Sequence, residues 1–493
     1  MLDTIRLEKR QKIGLILGPL LFVSILLLPL PAGMSRPALG VGATAALMAV
    51  WWITEAIPIP ATALLPIAFF PALGVMSSAS VTTSYANHLI YLYLGGFLIA
   101  VTIQKWNLHR RIALVTIRTV GISPNRIVLG FMLATWMLSM WISNTATTMM
   151  MLPIGIAVVG QAKAMLTREQ KKAHSLSNFG TALMLGIAYS SSIGGIATLI
   201  GTPPNAILVG VIEKTYGQSI DFFTWATMAF PLSVLMLAAC WFYLTRISCR
   251  SQIKHLPGGR ELIVSELKKL GPTSKQEKRV LTVFVIVAGL WIARGFVSMG
   301  MVHDSTIAVA GAIALFLIPA DLTKGEFLLD WRTAVKIPWD IIILFGGGFA
   351  LAAGFSESGL TEWIATRLTV LQGANIVLLI AVLTLLVVFL TEMTSNSATA
   401  SLILPIMAAF AEAMQVHPYG LMIAVALSAS FAFMLPVATP PNAIVFSSRM
   451  ITIPQMARIG FWLNLIGSVL IILIIMLWLP RVWEIDLTAF PVF

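Results

Sequence analysis

Ser143-Asn144-Thr145-Ala146-Thr147 returns as Ser395-Asn396-Ser397-Ala398-Thr399 after an interval of 252 residues. The same interval separates Gly95-Gly96-Phe97 from Gly347-Gly348-Phe349, and Leu152-Pro153-Ile154 from Leu404-Pro405-Ile406. A register held over tens of residues marks two related halves. A second pair follows at an interval of 237, Gly201-Thr202-Pro203-Pro204-Asn205-Ala206-Ile207 and Ala438-Thr439-Pro440-Pro441-Asn442-Ala443-Ile444. The second half therefore has a shorter connection, and the missing piece corresponds to the basic segment around Arg168 to His174. Both halves carry helix breakers and small oxygen-bearing side chains inside apolar sequence, so the fold must house two polar stations in apolar surroundings.

Those surroundings are lipid. Hydrophobic residues make up 58% of the 493-residue chain and charged residues 11%, against about a quarter charged in ordinary soluble domains. The apolar runs are Ile13 to Leu30, Leu39 to Ile53, Ala61 to Leu73, Leu89 to Gln104, Phe179 to Ile200, Ala226 to Leu244, Val280 to Ile292, Thr306 to Pro319, Ile341 to Ala353, Leu421 to Leu435 and Ile459 to Leu479. Several fall short of the roughly 20 residues that span a bilayer, so their ends extend into semi-polar flanks. The expected fold is an all-α polytopic membrane protein of about eleven spans plus two re-entrant helical hairpins.

The net charge of +12 follows topology rather than a polyanion-binding surface. Arg6, Lys9, Arg10 and Lys12 precede the first run. Lys105, Arg110, Arg111 and Arg118 follow the fourth, Lys163, Arg168, Lys171 and Lys172 precede the fifth, and nine cations lie between Arg246 and Arg279. With a cytoplasmic N-terminus, counting crossings puts all four clusters on the cytoplasmic side of the inner membrane, as the positive-inside bias demands. Ser248 to Lys278 reads as a cytoplasmic connector with an amphipathic helix around Glu261 to Leu270. The first run lacks a convincing cleavage pattern and reads as an uncleaved span. Cys240 and Cys249 sit where disulfides rarely persist.

Between the fourth and ninth runs the chain crosses five times. The two copies thus run in opposite directions, an inverted repeat whose halves meet near the midplane and form ion and solute sites there. Crossing parity is the same for a hairpin at Ser143 to Thr145 as for two full spans. The polar tip favours the hairpin, which is tolerated where protein or a water-filled cavity surrounds it.

Backbone chemistry then suggests the ligands. Pro203 and Pro204 lack the amide hydrogen and disfavour helix before them, so the span containing Ile187 to Ile200 should break near Gly201 and resume after Asn205. The freed carbonyls, the Asn144 amide oxygen and the Ser143 hydroxyl make a hard oxygen shell for sodium. The helix restarting at Thr145 presents amide hydrogens and a positive dipole end to an anion, and Thr145 and Thr202 add hydroxyl donors. Asn396, Ser397 and Thr439 repeat the arrangement. Two facing cradles suit a solute with two negative ends, with bound cations supplying countercharge.

Glu55 and Glu392 are the intramembrane carboxylates, read either as coupling groups or as buried structural acceptors. Arg294 and His88 read as anchors near span ends, and Trp51, Trp52, Trp462 and Trp478 as interfacial belts or packing. There is no nucleophilic Ser-His-Asp set, Walker loop or dinucleotide fingerprint, so the chain reads as a non-enzyme without an organic cofactor.

Ala429 through Val445, with Pro436-Val437-Ala438-Thr439-Pro440-Pro441-Asn442 at its centre, resembles the signature of the divalent anion/sodium symporters, which include sodium-dependent dicarboxylate, citrate and sulfate carriers. The paired hairpins are similar to theirs, and the resemblance covers about residue 13 to residue 480. It implies a homodimer of eleven-span protomers, each with a scaffold and a mobile transport domain working as an elevator. It implies two or more sodium ions, one site at Ser139, Ser143, Asn144 and Gly201 and another at Thr391, Ser395, Asn396 and Ala438. Asn144, Thr145, Thr202, Asn396, Ser397, Thr439 and Pro440 would meet the substrate. The corresponding domain expectation is scaffold at 1–120 and 280–372, transport domain at 121–247 and 373–493, and connector at 248–279. Ser397 departs from the Thr of many dicarboxylate carriers, keeping the hydroxyl and losing a methyl. Four-carbon dicarboxylates are the favoured cargo, with citrate or sulfate symport, sodium-independent exchange, and an anion channel or membrane sensor as the other readings.

Overall fold

The computed structural model describes residues 7–121, 123–165, 175–251, 259–297, 299–369 and 373–491. Arg6, the basic segment Arg168 to His174 and part of the polar connector lie outside the described residues. Eight described helices are long and apolar enough to cross a membrane: Lys9–Leu27, Arg36–Thr54, Ser78–Lys105, Asn144–Ala164, Phe222–Ser248, Trp339–Glu357, Asn396–Met414 and Ile453–Val482. Shorter apolar helices occupy Ile59–Ala72, Asp304–Leu317, Ile376–Thr391 and Pro418–Ser428. The chain is an all-α polytopic protein. Its one described departure is a small antiparallel pair, Pro319–Asp321 with Glu326–Phe327, closed by a turn in which Gly325 has φ +63°.

The third apolar run is not a continuous helix. It divides into Ile59–Thr62 and Leu65–Ala72, each with proline in its first turn, where the missing N–H costs nothing and the fixed φ favours a new start. The interruption exposes the Ala63 carbonyl, which accepts a hydrogen bond from the Tyr85 hydroxyl at 2.5 Å.

The two halves are sewn together by the repeated glycines. A methyl placed on Gly95 would lie 2.5 Å from the Ala308 carbonyl carbon, and one on Gly347 would collide with the Ala63 backbone. Gly95 and Gly347 thus each receive backbone from the opposite half. Between them Tyr93 packs edge-on against Phe345, with ring centroids 4.7 Å apart, and these two residues are themselves related by the 252-residue interval.

The hairpins keep the register of the repeat. Pro124–Ser139 and Asn144–Met165 form the first, and Ile376–Thr391 and Asn396–Met414 the second. Each follows an amphipathic helix, Leu108–Val120 or Leu360–Leu368. The first is clasped by the connector: Arg111 pairs with Glu277 at 2.7 Å and donates to the Gly271 carbonyl at 3.0 Å. Arg110 pairs with Glu266 on the expected connector helix, here Gly259–Leu270. The second is held by Trp363 and Arg367, which donate to the Ala32 carbonyl at 3.2 and 2.8 Å.

Trp52 is fully buried and donates to the Ile59 carbonyl, so it packs rather than forming a belt, while Trp462 is exposed. Cys240 and Cys249 are free and buried. Arg294 pairs with Asp304 at 2.5 Å. His88 lies 3.5 Å from Glu213 and packs at a tilt against His303, with ring centroids 5.1 Å apart.

Candidate functional site

Both hairpin tips open into one cavity of about 570 Å³. Its walls include Ser143, Asn144 and Thr145 from the first tip and Ser395, Asn396 and Ser397 from the second. The first broken helix contributes Gly201, Thr202 and Pro203, and the second Ala438, Thr439 and Pro440. Ser139 and Thr391 lie behind this wall, completely buried. Ser139 donates to the Asn144 amide oxygen at 2.5 Å and Thr391 to that of Asn396 at 2.9 Å. These hydroxyls orient the two asparagine oxygens in a repeat-related way.

The tips are helix N-termini, where the first amides have no intrahelical acceptor. Ser143 takes one of them, accepting from the Ala146 amide at 3.3 Å. Ser395 makes no such bond. The cavity therefore receives neutral oxygens and backbone N–H groups from both sides, donors for a hard monovalent cation beside donors for carboxylate oxygens. Among the described residues no group of three or more His, Cys, Asp or Glu is placed to hold a metal ion.

The breaks in the crossing helices fall earlier than the prolines suggest. The first helix stops at Gly195 and restarts at Pro203, not after Asn205. The second stops at Ser428 and restarts at Pro440. Proline suits a first helical turn, so it starts each second arm, whereas tertiary contacts end each first arm. A methyl on Gly194 would strike the Trp136 backbone, and one on Gly195 would lie 2.7 Å from the Asn144 amide oxygen.

Two asparagines overlooked as site residues organise these breaks. The Asn205 side chain donates to the carbonyls of Gly195, Ile196 and Thr198, and Asn442 donates to those of Ala432 and Leu435 at 3.0 Å each. Gly195 with Ala432 and Thr198 with Leu435 both obey the 237-residue interval. The paired Thr-Pro-Pro-Asn motifs carried that signal.

Further bracing is unequal between halves. The Tyr93 hydroxyl shares its single proton between the Leu199 and Thr202 carbonyls, the latter at 2.9 Å. Its counterpart Phe345 has no hydroxyl. The second break instead uses Glu392, 3% exposed, which accepts from the Phe433, Met434 and Leu435 amides at 2.7, 2.8 and 3.0 Å and from the Asn464 side chain at 2.8 Å. Of its two readings, the structure shows the buried structural acceptor. Glu55, unlike Glu392, is not enclosed by protein: its side chain is 43% exposed, lines the cavity and pairs with Arg10 at 3.0 Å. The docking of helix Lys9–Leu27 against the next helix brings Arg10 there, which local sequence could not reveal.

Comparison with known proteins agrees with this architecture. The match to the sodium:sulfate symporter transmembrane region runs over residues 9–484. The chain belongs to that family. It is 46% identical over 484 residues to the sodium-dependent dicarboxylate transporter SdcS of Staphylococcus saprophyticus, covering 97% of this chain and 93% of the relative. The SdcS protein of Staphylococcus aureus strain NCTC 8325 is 45% identical over 483 residues, with the same coverage. Among solved structures, the Neisseria gonorrhoeae MtrF protein aligns with a TM-score of 0.55 at 10% identity, covering 96% of each chain. The Alcanivorax borkumensis YdaH transporter aligns with a TM-score of 0.55 at 11% identity, covering 91% of this chain and 99% of that one. At such identities the likeness is one of fold. This family member is a multi-span membrane transporter.

Proposed function

We propose that the chain is a secondary transporter carrying four-carbon dicarboxylates, such as succinate, malate and fumarate, together with sodium across the cytoplasmic membrane. The observation that carries this reading is the convergence of two repeat-related tips on one cavity, each offering an asparagine oxygen and a helix N-terminus. Asn144 and Asn396, with Ser143, Ser395 and the carbonyls of Gly201 and Ala438, are assigned to two or more sodium ions, supported from behind by Ser139 and Thr391. Thr145, Thr202, Ser397, Thr439 and Pro440 are assigned, with both asparagines, to the dianion. Sodium-dependent dicarboxylate relatives at about half identity support the choice of ion and cargo.

In the same reading the N-terminus is cytoplasmic and the protein is a homodimer. Segments 121–247 and 373–493 move as a transport domain against a scaffold of 1–120 and 280–372, linked by the connector 248–279. The test is uptake of labelled succinate into proteoliposomes containing no internal substrate, with sodium or choline outside. Uptake with sodium alone is expected, and equal uptake in choline would overturn sodium coupling. Asn144→Ala and Asn396→Ala should each reduce sodium-driven uptake at least 100-fold while leaving the melting temperature near wild type. Competition by malate and fumarate above citrate and sulfate completes the cargo assignment.

A further inference from the structure

Arg10 is the one basic side chain lining the cavity among the described residues. Two carboxylates, Glu55 and Asp340, line it too. The tips supply only neutral donors, so a dianion crossing this mouth meets two negative groups and a single guanidinium. Arg10 pairs with Glu55 at 3.0 Å and with Glu8 at 2.8 Å, and its side chain is 47% exposed. Ion pairs this exposed contribute little to stability, yet the protein goes to some length to place Arg10.

That placement is visible in the backbone. Glu55 adopts a left-handed conformation, φ +49°, although it is neither glycine nor asparagine, a geometry that surrounding contacts must sustain. The Gln11 side chain supplies such a contact, donating to the Glu55 carbonyl at 3.1 Å. One and two turns further along, Gly14 and Gly18 let their helix lie directly on its neighbour: Trp51 donates to the Gly14 carbonyl at 3.1 Å, and a methyl on Gly18 would lie 2.5 Å from the Trp51 indole nitrogen. Helix Lys9–Leu27 is thereby fixed with Arg10 at the cavity rim.

We propose that Arg10 is a specificity residue at the mouth, taking one carboxylate of the dianion as it passes while Glu55 holds the guanidinium in place between passages. Guanidinium matches carboxylate geometry through paired N–H donors, and exchanging one carboxylate for another keeps it neutralised throughout. The inference rests on dicarboxylate being the cargo. It also makes the two partners act in opposite senses, because Glu55 competes with the cargo for Arg10.

The experiment measures sodium-driven succinate uptake into membrane vesicles in which an N-terminal tag is accessible from outside, so that this mouth faces the added solute. Ionic strength is varied with choline chloride at constant sodium. Arg10→Gln should raise KM about 5- to 10-fold at low ionic strength, with the difference shrinking as salt screens the mouth. Glu55→Gln should lower KM about 2- to 3-fold, and the double variant should behave like Arg10→Gln. Arg10→Lys, which keeps the charge, should stay within about threefold of wild type. Unchanged KM in Arg10→Gln, or KM moving in the same direction in both single variants, would overturn the proposal and leave a merely structural pair. Wild-type vesicles that fail to take up succinate would overturn the cargo assignment instead.

Discussion

Tyr93 shows how much of the site depends on one atom. Its hydroxyl bridges the Leu199 and Thr202 carbonyls on the two sides of Gly201, so it fixes the curvature of the segment whose carbonyl is assigned to sodium. Tyr93→Phe would keep the ring packing against Phe345 and Phe97 and delete only those bonds. A buried hydrogen bond contributes about 1 kcal/mol net. The sodium concentration giving half-maximal uptake should therefore rise about 5- to 10-fold, with succinate KM at saturating sodium changed less than twofold. The residues at the tips were legible from sequence because repetition at a fixed interval singled them out. Tyr93 stands two positions before a repeated Gly-Gly-Phe, but its counterpart is Phe345, and a role present in one half alone leaves no mark in a comparison of halves.

At the level of elements, the prolines announced that each crossing helix would break, and the register announced where each hairpin would turn. The point at which the first arm of the first crossing helix ends was not readable, since Trp136 and Asn144 pack directly on Gly194 and Gly195 there, and these partners lie far away in sequence. The second break rests on Glu392, whose two oxygens receive three amides and one side-chain donor. Glu392→Gln replaces one acceptor by a donor and should lower stability by about 2–4 kcal/mol, read as a fall in melting temperature in detergent. If Glu392 serves as a brace, the pH profile of residual uptake should stay that of wild type.

A second element carries a titratable cap. The His417 ring accepts from the Tyr419 amide at 3.2 Å at the start of helix Pro418–Ser428, and burial pushes its pKa down to about 4 against a smaller opposing effect of Asp486. An unfolded histidine protonates near 6.5, whereas this one stays neutral until about 4, so the unfolded state binds more protons across that interval. Stability should fall as pH is lowered from 6.5 towards 4, and His417→Asn, which retains a capping oxygen, should flatten that part of the melting-temperature profile.

For the whole molecule, the repeat predicted two related halves, and the structure adds how they interlock. Gly95 meets Ala308 of the opposite half, and Gly347 meets Ala63. A valine at either glycine would overfill a backbone-to-backbone contact, at a cost of about 1–3 kcal/mol or more. Gly95→Val and Gly347→Val should both lower the melting temperature, while Gly42→Ala, with open space around it, should leave it unchanged or slightly raised. Sequence could not reveal these partners, because Ala308 and Ala63 belong to no recognisable motif.

The crossed glycine contacts bear on how such a chain is synthesised. Residues up to the middle of the sequence leave the ribosome with Gly95 still lacking the surface against which it fits. Early products of translation must wait in the bilayer incompletely docked, and a gene divided at its midpoint would give activity only when both fragments are produced together in one membrane.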